Sequence, residues 1–418
     1  MSLRRAFHWR PGQLAQHGSQ LLAWMLLRAA AQAGIVILLA RALGASAYGQ
    51  FVAVLAVASF CSPFAGLGLS HMVLRNGARN GAFLPAYFAR AAHWWLLTAI
   101  PAAVAAMLLA WLLLPAGTLV AGALLAIAAD VTAVSLTDLH ARRRQAMQRM
   151  HAMGATNAGL PLLRLSALVA LLLTQPTADT TAVFWVFAAA STAYALLLWA
   201  FSPPPRQDPS HALPEPLGPR QGLPFSLSAL AVRIQLEFNK PVLAQVGFGL
   251  AGSFNVAQRI IDLAGLPLNA LQEALWPRLY AQGNPGRQLR RTGAALLALA
   301  VAVAAGIWLA APVLPWLLGP SFESAVGVAR LLALLPTLQM FRLLVNFRVI
   351  HHGWMELIGW AYLIGALCSV GAVAILVPRH GLHGAVAAGY LAEVAMTVAL
   401  LTGMAWRRRR QATAETPP

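Results

Sequence analysis

Long apolar blocks constrain this chain more than any other feature of its sequence. Mostly apolar blocks recur from end to end, separated by short polar or arginine-bearing segments. A helix needs about 20 such residues to cross the hydrocarbon core of a bilayer, so each block predicts a transmembrane helix. Only 10% of the 418 residues are charged, and the mean hydropathy is +0.66. A water-soluble domain of this length carries much more surface charge, which excludes an ordinary cytosolic enzyme.

The blocks predict about twelve transmembrane helices in two sets of six. The first set is placed at 18–40, 50–74, 91–113, 118–140, 157–175 and 180–202. The second set is placed at 223–246, 250–276, 292–318, 323–347, 355–377 and 382–406.

A polar, proline-rich connection separates the two sets. Proline breaks helices and favours extended chain, so residues 203–222 are predicted to be an extended, helix-free linker. The sequence therefore predicts an all-α polytopic membrane protein with four parts. These are an N-terminal six-helix bundle (1–202), a cytoplasmic linker (203–222), a C-terminal six-helix bundle (223–406) and a basic cytoplasmic tail (407–418).

The arginines predict the orientation of the chain. With a cytoplasmic N-terminus, the predicted inside segments hold 22 arginines and the outside segments hold two, Arg41 and Arg379. The positive-inside rule then places both termini in the cytoplasm of a bacterial inner membrane. The net charge of +18 does not indicate a nucleic-acid partner, because every basic segment adjoins membrane-like sequence. Cys61 and Cys368 lie far apart in apolar blocks and predict no metal or redox site.

A short internal match relates the two halves. Residues 48–53 read YGQFVA and residues 252–257 read GSFNVA. An offset of 203 places Gly49 on Gly252 and Phe51 on Phe254, and it also places Arg75 on Arg278 at the other end of the span. This agreement at both ends predicts a parallel repeat and two pseudo-symmetric bundles.

Four segments resemble a known family. They are ARALGASAYGQF (40–51), GLGLSHMVLRNGAR (66–79), LLGPSFESAVGVARLLALLP (317–336) and GLHGAVAAGYLAEV (381–394). In this order they resemble bacterial O-antigen and polysaccharide flippases. Those proteins belong to the multidrug/oligosaccharidyl-lipid/polysaccharide (MOP) exporter superfamily, and the resemblance extends over nearly the whole chain.

The resemblance implies a transporter rather than an enzyme. Two bundles would surround a central cavity and move an undecaprenyl-diphosphate-linked oligosaccharide from the cytoplasmic to the periplasmic leaflet by alternating access. No cofactor or metal is implied, and the sequence leaves open whether a proton gradient, a sodium gradient or no ion drives the transport cycle. Expected partners are the lipid-linked substrate, membrane lipids, a polysaccharide polymerase and a chain-length regulator, and we expect a monomer.

Intramembrane charges supply the candidate site residues. A charged side chain at the bilayer centre costs about 2.5–3.5 kcal/mol on insertion scales, so it normally meets a polar interior or a partner. Arg28, Arg164 and Arg233 lie near mid-depth of their predicted spans. A guanidinium binds phosphate oxygens through two hydrogen bonds, which suits a diphosphate. The alternative is that each arginine snorkels or holds a helix pair together.

The seventh and eighth spans each carry a charged stripe. Arg233, Glu237 and Lys240 fall within about 60° on a helix, where the carboxylate reaches either cation and one positive charge remains. The second stripe comprises Gln258, Asp262, Asn269 and Glu273, with Arg259 beside Asp262.

The predicted diphosphate ligands are Arg28, Arg164, Arg233, Lys240 and Arg259; the ion-coupling candidates are Glu237, Asp262 and Asp130. Self-neutralising structural pairs are the alternative for both stripes. Pro241 is expected to break the helix just beyond Lys240.

Two other functions compete with the flippase. The first is a multidrug extruder of the same superfamily, which exports organic cations. Many of these extruders resemble one another in carrying an acidic residue in the first helix. The first predicted span of this chain has Arg28 and Gln32 and no acidic residue. A membrane-embedded polysaccharide polymerase or ligase would need a large periplasmic loop, and the predicted outside loops are short.

Overall fold

The computed structural model describes residues 13–205, 213–268, 271 and 286–414. Within these residues the regular structure is helical, apart from turns and bends. The helices of the first half are α1 Gln13–Cys61, α2 Leu69–Arg79, α3 Leu84–Leu113, α4 Ala121–Ala146, α5 Met150–Thr174 and α6 Thr180–Phe201. Those of the second half are α7 Pro219–Glu237, α8 Asn239–Val246, α9 Phe248–Ala264, α10 Gly286–Ala310, α11 Leu314–Leu318, α12 Glu323–Leu332, α13 Leu335–His351 and α14 Met355–Ala414.

The helices confirm the predicted all-α, polytopic membrane fold. Each of the twelve predicted spans is largely helical over the part that the structure describes. Eight continuous segments in these ranges are long and apolar enough to cross a membrane, and the first and last, Gln20–Phe64 and Met355–Arg410, each cover most of two predicted spans. The turns inside them are at Gly44 (φ 72°) and Gly381 (φ 53°), in backbone conformations that glycine adopts without steric cost.

The second predicted span is interrupted rather than continuous. A short 3-10 turn at Ser62–Phe64 contains Pro63, and Gly66, Leu67 and Gly68 all have positive φ angles. The Gly66 amide donates to Thr98 Oγ1 at 2.8 Å, so α3 supplies a partner that the broken helix lacks. The chain then resumes as α2.

The structure divides into two compact units. The first unit contains α1 up to Val36, then Cys61–Leu108 and Val120–Ser228. The second contains Ile37–Phe60, Leu109–Leu119 and the chain from Ala229 onward. The two units do not correspond to the two halves of the sequence. Part of α1 and the region of the α3–α4 turn belong to the second unit, and the start of α7 belongs to the first. The predicted bundle boundaries at 202 and 223 stay a prediction.

The first unit is built around α4, which packs against α2, α5 and α6. Its core contains the fully buried rings of Tyr87 and Phe88, together with Leu136 and Leu198. Leu217 from the linker is also buried in this core. Residues 213–218 are non-helical, with bends at 214, 215 and 218, whereas 206–212 lie outside the described residues. Helix α7 begins at Pro219, four residues before the predicted span, because proline is favoured in the first turn of a helix.

The second unit has its main helix contacts between α13 and α14, between α9 and α12, and between α8 and α14. Val345, Val349 and Trp354 pack against Leu400 and Met404 in one of its apolar cores. The contacts of α8 with α14 and of α9 with α12 position the helices that carry Lys240, Gln258, Arg259 and Asp262 of the predicted charged stripes.

Candidate functional site

The helix break in the seventh span positions the first charged stripe. Helix α7 ends at Glu237 and α8 begins at Asn239. Pro241 has no amide hydrogen to donate to the Glu237 carbonyl, so the helical pattern fails between these residues. The sequence predicted the break just beyond Lys240, and it lies just before it. Glu237 therefore ends one helix, and Lys240 lies in the first turn of the next.

Glu237 and Lys240 form a buried ion pair. Lys240 Nζ donates to Glu237 Oε2, and the two side chains are only 2% and 13% exposed for lysine and glutamate respectively. A buried ammonium is tolerated only when it is paired, so Glu237 is what allows Lys240 to remain charged in this position. This i,i+3 contact is one of the two that the helical spacing predicts for Glu237.

The second stripe lies beside the first. Arg259 Nη1 lies 3.7 Å from Asp262 Oδ2, and both side chains are about half exposed. Gln258 Nε2 donates to the Leu236 carbonyl at 3.1 Å, which joins α9 to the end of α7. Asn269 and Glu273, the other members of the predicted stripe, lie outside the described residues.

The two stripes form one electrostatic cluster. The charges of Arg233 and Arg259 act on Glu237, in addition to that of Lys240. Asp262 and Arg259 also act on Lys240. We call these five residues (Arg233, Glu237, Lys240, Arg259 and Asp262) the α7–α9 charge cluster. Its three cations outnumber its two carboxylates, so its formal charge is positive.

Asp130 and Arg164 are partners in the first unit. Arg164 Nη2 donates to Asp130 Oδ1 at 2.6 Å, and each side chain is 11% exposed. Ser191 Oγ accepts from Arg164 Nε at 3.0 Å and from Nη2 at 2.8 Å, and the guanidinium lies over the Phe187 ring at 4.6 Å. These contacts join α4, α5 and α6 through one arginine.

The eight predicted site residues thus fall into three places. Five form the α7–α9 charge cluster in the second unit. Asp130 and Arg164 form a buried pair in the first unit, although the sequence assigned them to ion coupling and substrate binding respectively. Arg28 lies on α1 in the first unit, with an exposed side chain. Their roles in binding stay predictions.

Sequence reasoning missed a polar centre in the second unit. Arg342 Nε donates to Glu393 Oε2 at 2.6 Å, with the side chains 12% and 10% exposed. Arg342 Nη1 also donates to the Tyr362 hydroxyl at 3.0 Å, and Gln339 Nε2 donates to Glu393 Oε1 at 3.3 Å. Arg342 was counted among the arginines at the cytoplasmic membrane edge, but it lies inside α13. The available signal was Glu393, an intramembrane acid that needs a cation from another helix.

Comparisons with known proteins identify the fold. No protein-family model matches the sequence, and no curated protein matches it. Among solved structures, the chain is similar to the lipid II flippase MurJ in an inward closed conformation, with a TM-score of 0.72 and 12% identity over 93% of this chain and 87% of that chain. It is similar to an inward-facing multidrug resistance MATE family transporter, with a TM-score of 0.66 and 16% identity over 94% and 96% of the two chains. A MOP superfamily transporter from Pyrococcus furiosus matches with a TM-score of 0.58 and 17% identity over 95% of each chain.

These similarities show that the chain has the fold of MOP superfamily transporters, with twelve helices in two bundles. The similar structures are transporters rather than enzymes. They include both a lipid flippase and multidrug transporters, so the fold by itself does not choose a substrate.

Proposed function

We propose that this protein is an inner-membrane flippase for undecaprenyl-diphosphate-linked oligosaccharide, the repeat unit of an O-antigen or exopolysaccharide. The substrate would move from the cytoplasmic to the periplasmic leaflet by alternating access, without covalent chemistry. The observation that carries the proposal is the α7–α9 charge cluster, in which a surplus positive charge lies beside a fully buried lysine.

The chemistry of the cluster suits a diphosphate. Arg233 and Arg259 offer planar guanidinium groups that bind phosphate oxygens through two hydrogen bonds, and Lys240 offers a compact ammonium. In the absence of an anion, the Glu237 carboxylate pairs with Lys240. A bound anion would compete with this carboxylate for the same cations. A surplus cation beside the buried Glu237–Lys240 pair attracts an anion more strongly than it would in bulk water.

A multidrug extruder is the second candidate, because the similarity to the MATE transporter covers as much of this chain as the similarity to the lipid flippase. The sign of the cluster favours the flippase, since surplus positive charge repels an organic cation. For the Pyrococcus furiosus transporter, a reverse polarity of the binding pocket suggests a different function. Charge in the binding region is therefore a reasonable criterion for function within this fold.

The test is transport by reconstituted protein. In proteoliposomes with a labelled polyprenyl-diphosphate glycan, Arg233→Ala is expected to lower the rate of flipping at least about tenfold, the scale of a lost charged hydrogen bond. Arg28→Ala is expected to impair flipping as well. Arg233→Lys should restore activity only in part, because the planar fork is lost. Arg379→Ala, at an exposed position between the last two predicted spans, is the matched control and should transport normally.

Dye efflux separates the two candidate functions. The same proteoliposomes, loaded with a fluorescent organic cation, should show no efflux by the wild-type protein. Efflux of the dye without glycan flipping would establish the multidrug function instead. Full flipping activity in both Arg28→Ala and Arg233→Ala would show that these arginines do not bind the diphosphate.

A further inference from the structure

A second group of arginines lies at the end of α4, in the first unit. Arg142, Arg143 and Arg144 are in the last turns of the helix, and Arg149 follows in the turn to α5. Arg142 Nε lies 3.3 Å from Asp138 Oδ1, so this arginine has a carboxylate partner. We call Arg143, Arg144 and Arg149 the α4-end cluster. The proposed substrate site does not include it, because the α7–α9 charge cluster belongs to the second unit.

The α4-end cluster has no carboxylate partner among the residues that the structure describes. Arg143 Nη1 donates to Ser202 Oγ at 3.1 Å, and Arg144 Nη1 donates to Thr156 Oγ1. Both partners are neutral hydroxyls, and the charges of Arg144 and Arg149 act on Arg143. A guanidinium has N–H donors on all its nitrogens, and each of these two uses one nitrogen in these contacts. The cluster therefore has more positive charge and more donors than the described protein groups neutralise.

The surroundings make this surplus charge unfavourable without an anion. Arg143 and Arg144 are half-buried, so water solvates their charges less completely than on an open surface. Capping of the helix end does not account for them, because the backbone already does so. The carbonyls of Arg143 and Arg144 accept from the amides of Met147 and Arg149, at 3.1 and 3.0 Å. A bound anion would relieve the repulsion between the like charges.

A buried histidine adds unused polar groups at the same place. His140 is 1% exposed, and neither of its ring nitrogens has a hydrogen-bond partner among the described residues. Its ring contacts the Phe88 ring edge-on, with 5.1 Å between the centroids, and the Arg143 guanidinium lies 4.3 Å from the centroid of that same ring. The charges of Arg143 and Arg144 act on His140. An imidazole carries an N–H donor in either charge state, so the site has a further donor for an anion.

The position of the cluster along α4 indicates the class of anion. The cluster follows directly on the predicted fourth span (118–140), on the predicted cytoplasmic side, where basic residues meet anionic headgroups. Met147, in the adjoining turn, is 41% exposed and offers an apolar contact to the same lipid. Planar guanidinium groups without a carboxylate partner suit phosphate oxygens. We propose that the α4-end cluster binds the phosphate of an anionic phospholipid headgroup. The proposal does not depend on the transported substrate.

Lipid binding by the full-length protein in detergent micelles tests the proposal. The probe is phosphatidylglycerol labelled on an acyl chain, and fluorescence anisotropy gives its apparent Kd over a background of unlabelled phosphatidylcholine. Arg143→Gln and Arg144→Gln are each expected to weaken binding about tenfold, the scale of a lost charged hydrogen bond. Arg142→Gln is the matched control, since it removes the same charge from the adjacent position. Because Asp138 already neutralises Arg142, this control should change the Kd less than about twofold.

Three results would overturn the proposal. Equal weakening by Arg142→Gln and by Arg143→Gln would show only the general attraction of a basic surface for anionic lipid. Binding by all variants as tight as that of the wild type would exclude the cluster altogether. Inorganic pyrophosphate, compared with sodium sulfate at equal ionic strength, should leave the labelled lipid bound. Complete displacement by pyrophosphate would show a site for a soluble phosphate instead.

A conservative variant keeps the test decisive if Arg144→Gln does not fold. Arg144→Lys retains the charge and loses the planar fork, so it should weaken binding about threefold. An unchanged Kd for both Arg144→Lys and Arg143→Lys would contradict recognition of phosphate by the guanidinium groups. The flippase proposal fails separately, because loss of glycan flipping would leave these lipid affinities unchanged.

Discussion

Glu237 is the residue of the α7–α9 charge cluster on which the cluster's three cations all act. It ends α7 at the proline-induced break, pairs with the buried Lys240, and also experiences the charges of Arg233 and Arg259. A diphosphate that binds these cations would displace the carboxylate, which would then take up a proton because an unpaired buried charge is costly. Substrate and proton binding would be reciprocally linked.

Substitution of Glu237 tests this linkage. Glu237→Gln is expected to fold, to bind the glycan lipid at least as well as the wild type, and to lose the response of flipping to a pH gradient. The measurement is the flipping rate in proteoliposomes with and without the gradient.

Glu356→Gln is the matched control for this substitution, because Glu356 also pairs with an arginine but is 77% exposed at the start of α14. It should keep the pH response. A well-folded Glu237→Gln protein that also keeps the response would show that Glu237 and Lys240 form only a static pair.

At the scale of helices, each half of the sequence contains a buried ion pair that joins its last three predicted spans. In the first unit, Asp130, Arg164 and Ser191 lie on α4, α5 and α6. In the second, Arg342 lies on α13, while Tyr362 and Glu393 lie before and after the turn in α14. The corresponding helices thus meet at a polar centre in both halves, with different residues.

The Arg342 centre is expected to stabilise the second unit only while it is complete. Arg342→Ala should lower the free energy of unfolding by about 3–5 kcal/mol, because Glu393 would be left buried without its cation. The double variant Arg342→Met with Glu393→Leu should recover most of this loss. Thermal unfolding in detergent measures both effects.

The exposed pair of Arg407 and Glu356 provides the comparison, with 2.6 Å between Arg407 Nη2 and Glu356 Oε2. Arg407→Ala should cost less than about 1 kcal/mol, because water screens an exposed pair. Equal destabilisation by Arg342→Ala and Arg407→Ala would mean that burial of the Arg342 pair has no energetic consequence.

For the whole molecule, the testable expectation is the orientation in the membrane. The bias of 22 inside arginines against two outside predicts that both termini are cytoplasmic. Reporter fusions at Gly117 and Gln207 should therefore read periplasmic and cytoplasmic respectively. The reverse readings would invert the predicted topology and place both termini on the periplasmic side.

The sequence by itself determined the helices, because burial of backbone polar groups in lipid leaves helix as the structure for each apolar block. It also indicated the breaks between the predicted spans and the stripe that brings Glu237 to Lys240. These features depend on short-range geometry, in which residue spacing fixes which side chains share a helix face.

Only the tertiary structure decided which helices meet. Arg342 finds Glu393 at a separation of 51 residues, and Arg164 finds Asp130 at a separation of 34. The sequence related Gly49 to Gly252 as equivalent positions, yet only packing brings these two glycines together. Apolar helix faces are nearly interchangeable in lipid, so association depends on close packing and on polar groups that need partners. Those choices are made jointly by several helices, and no single stretch of sequence contains them.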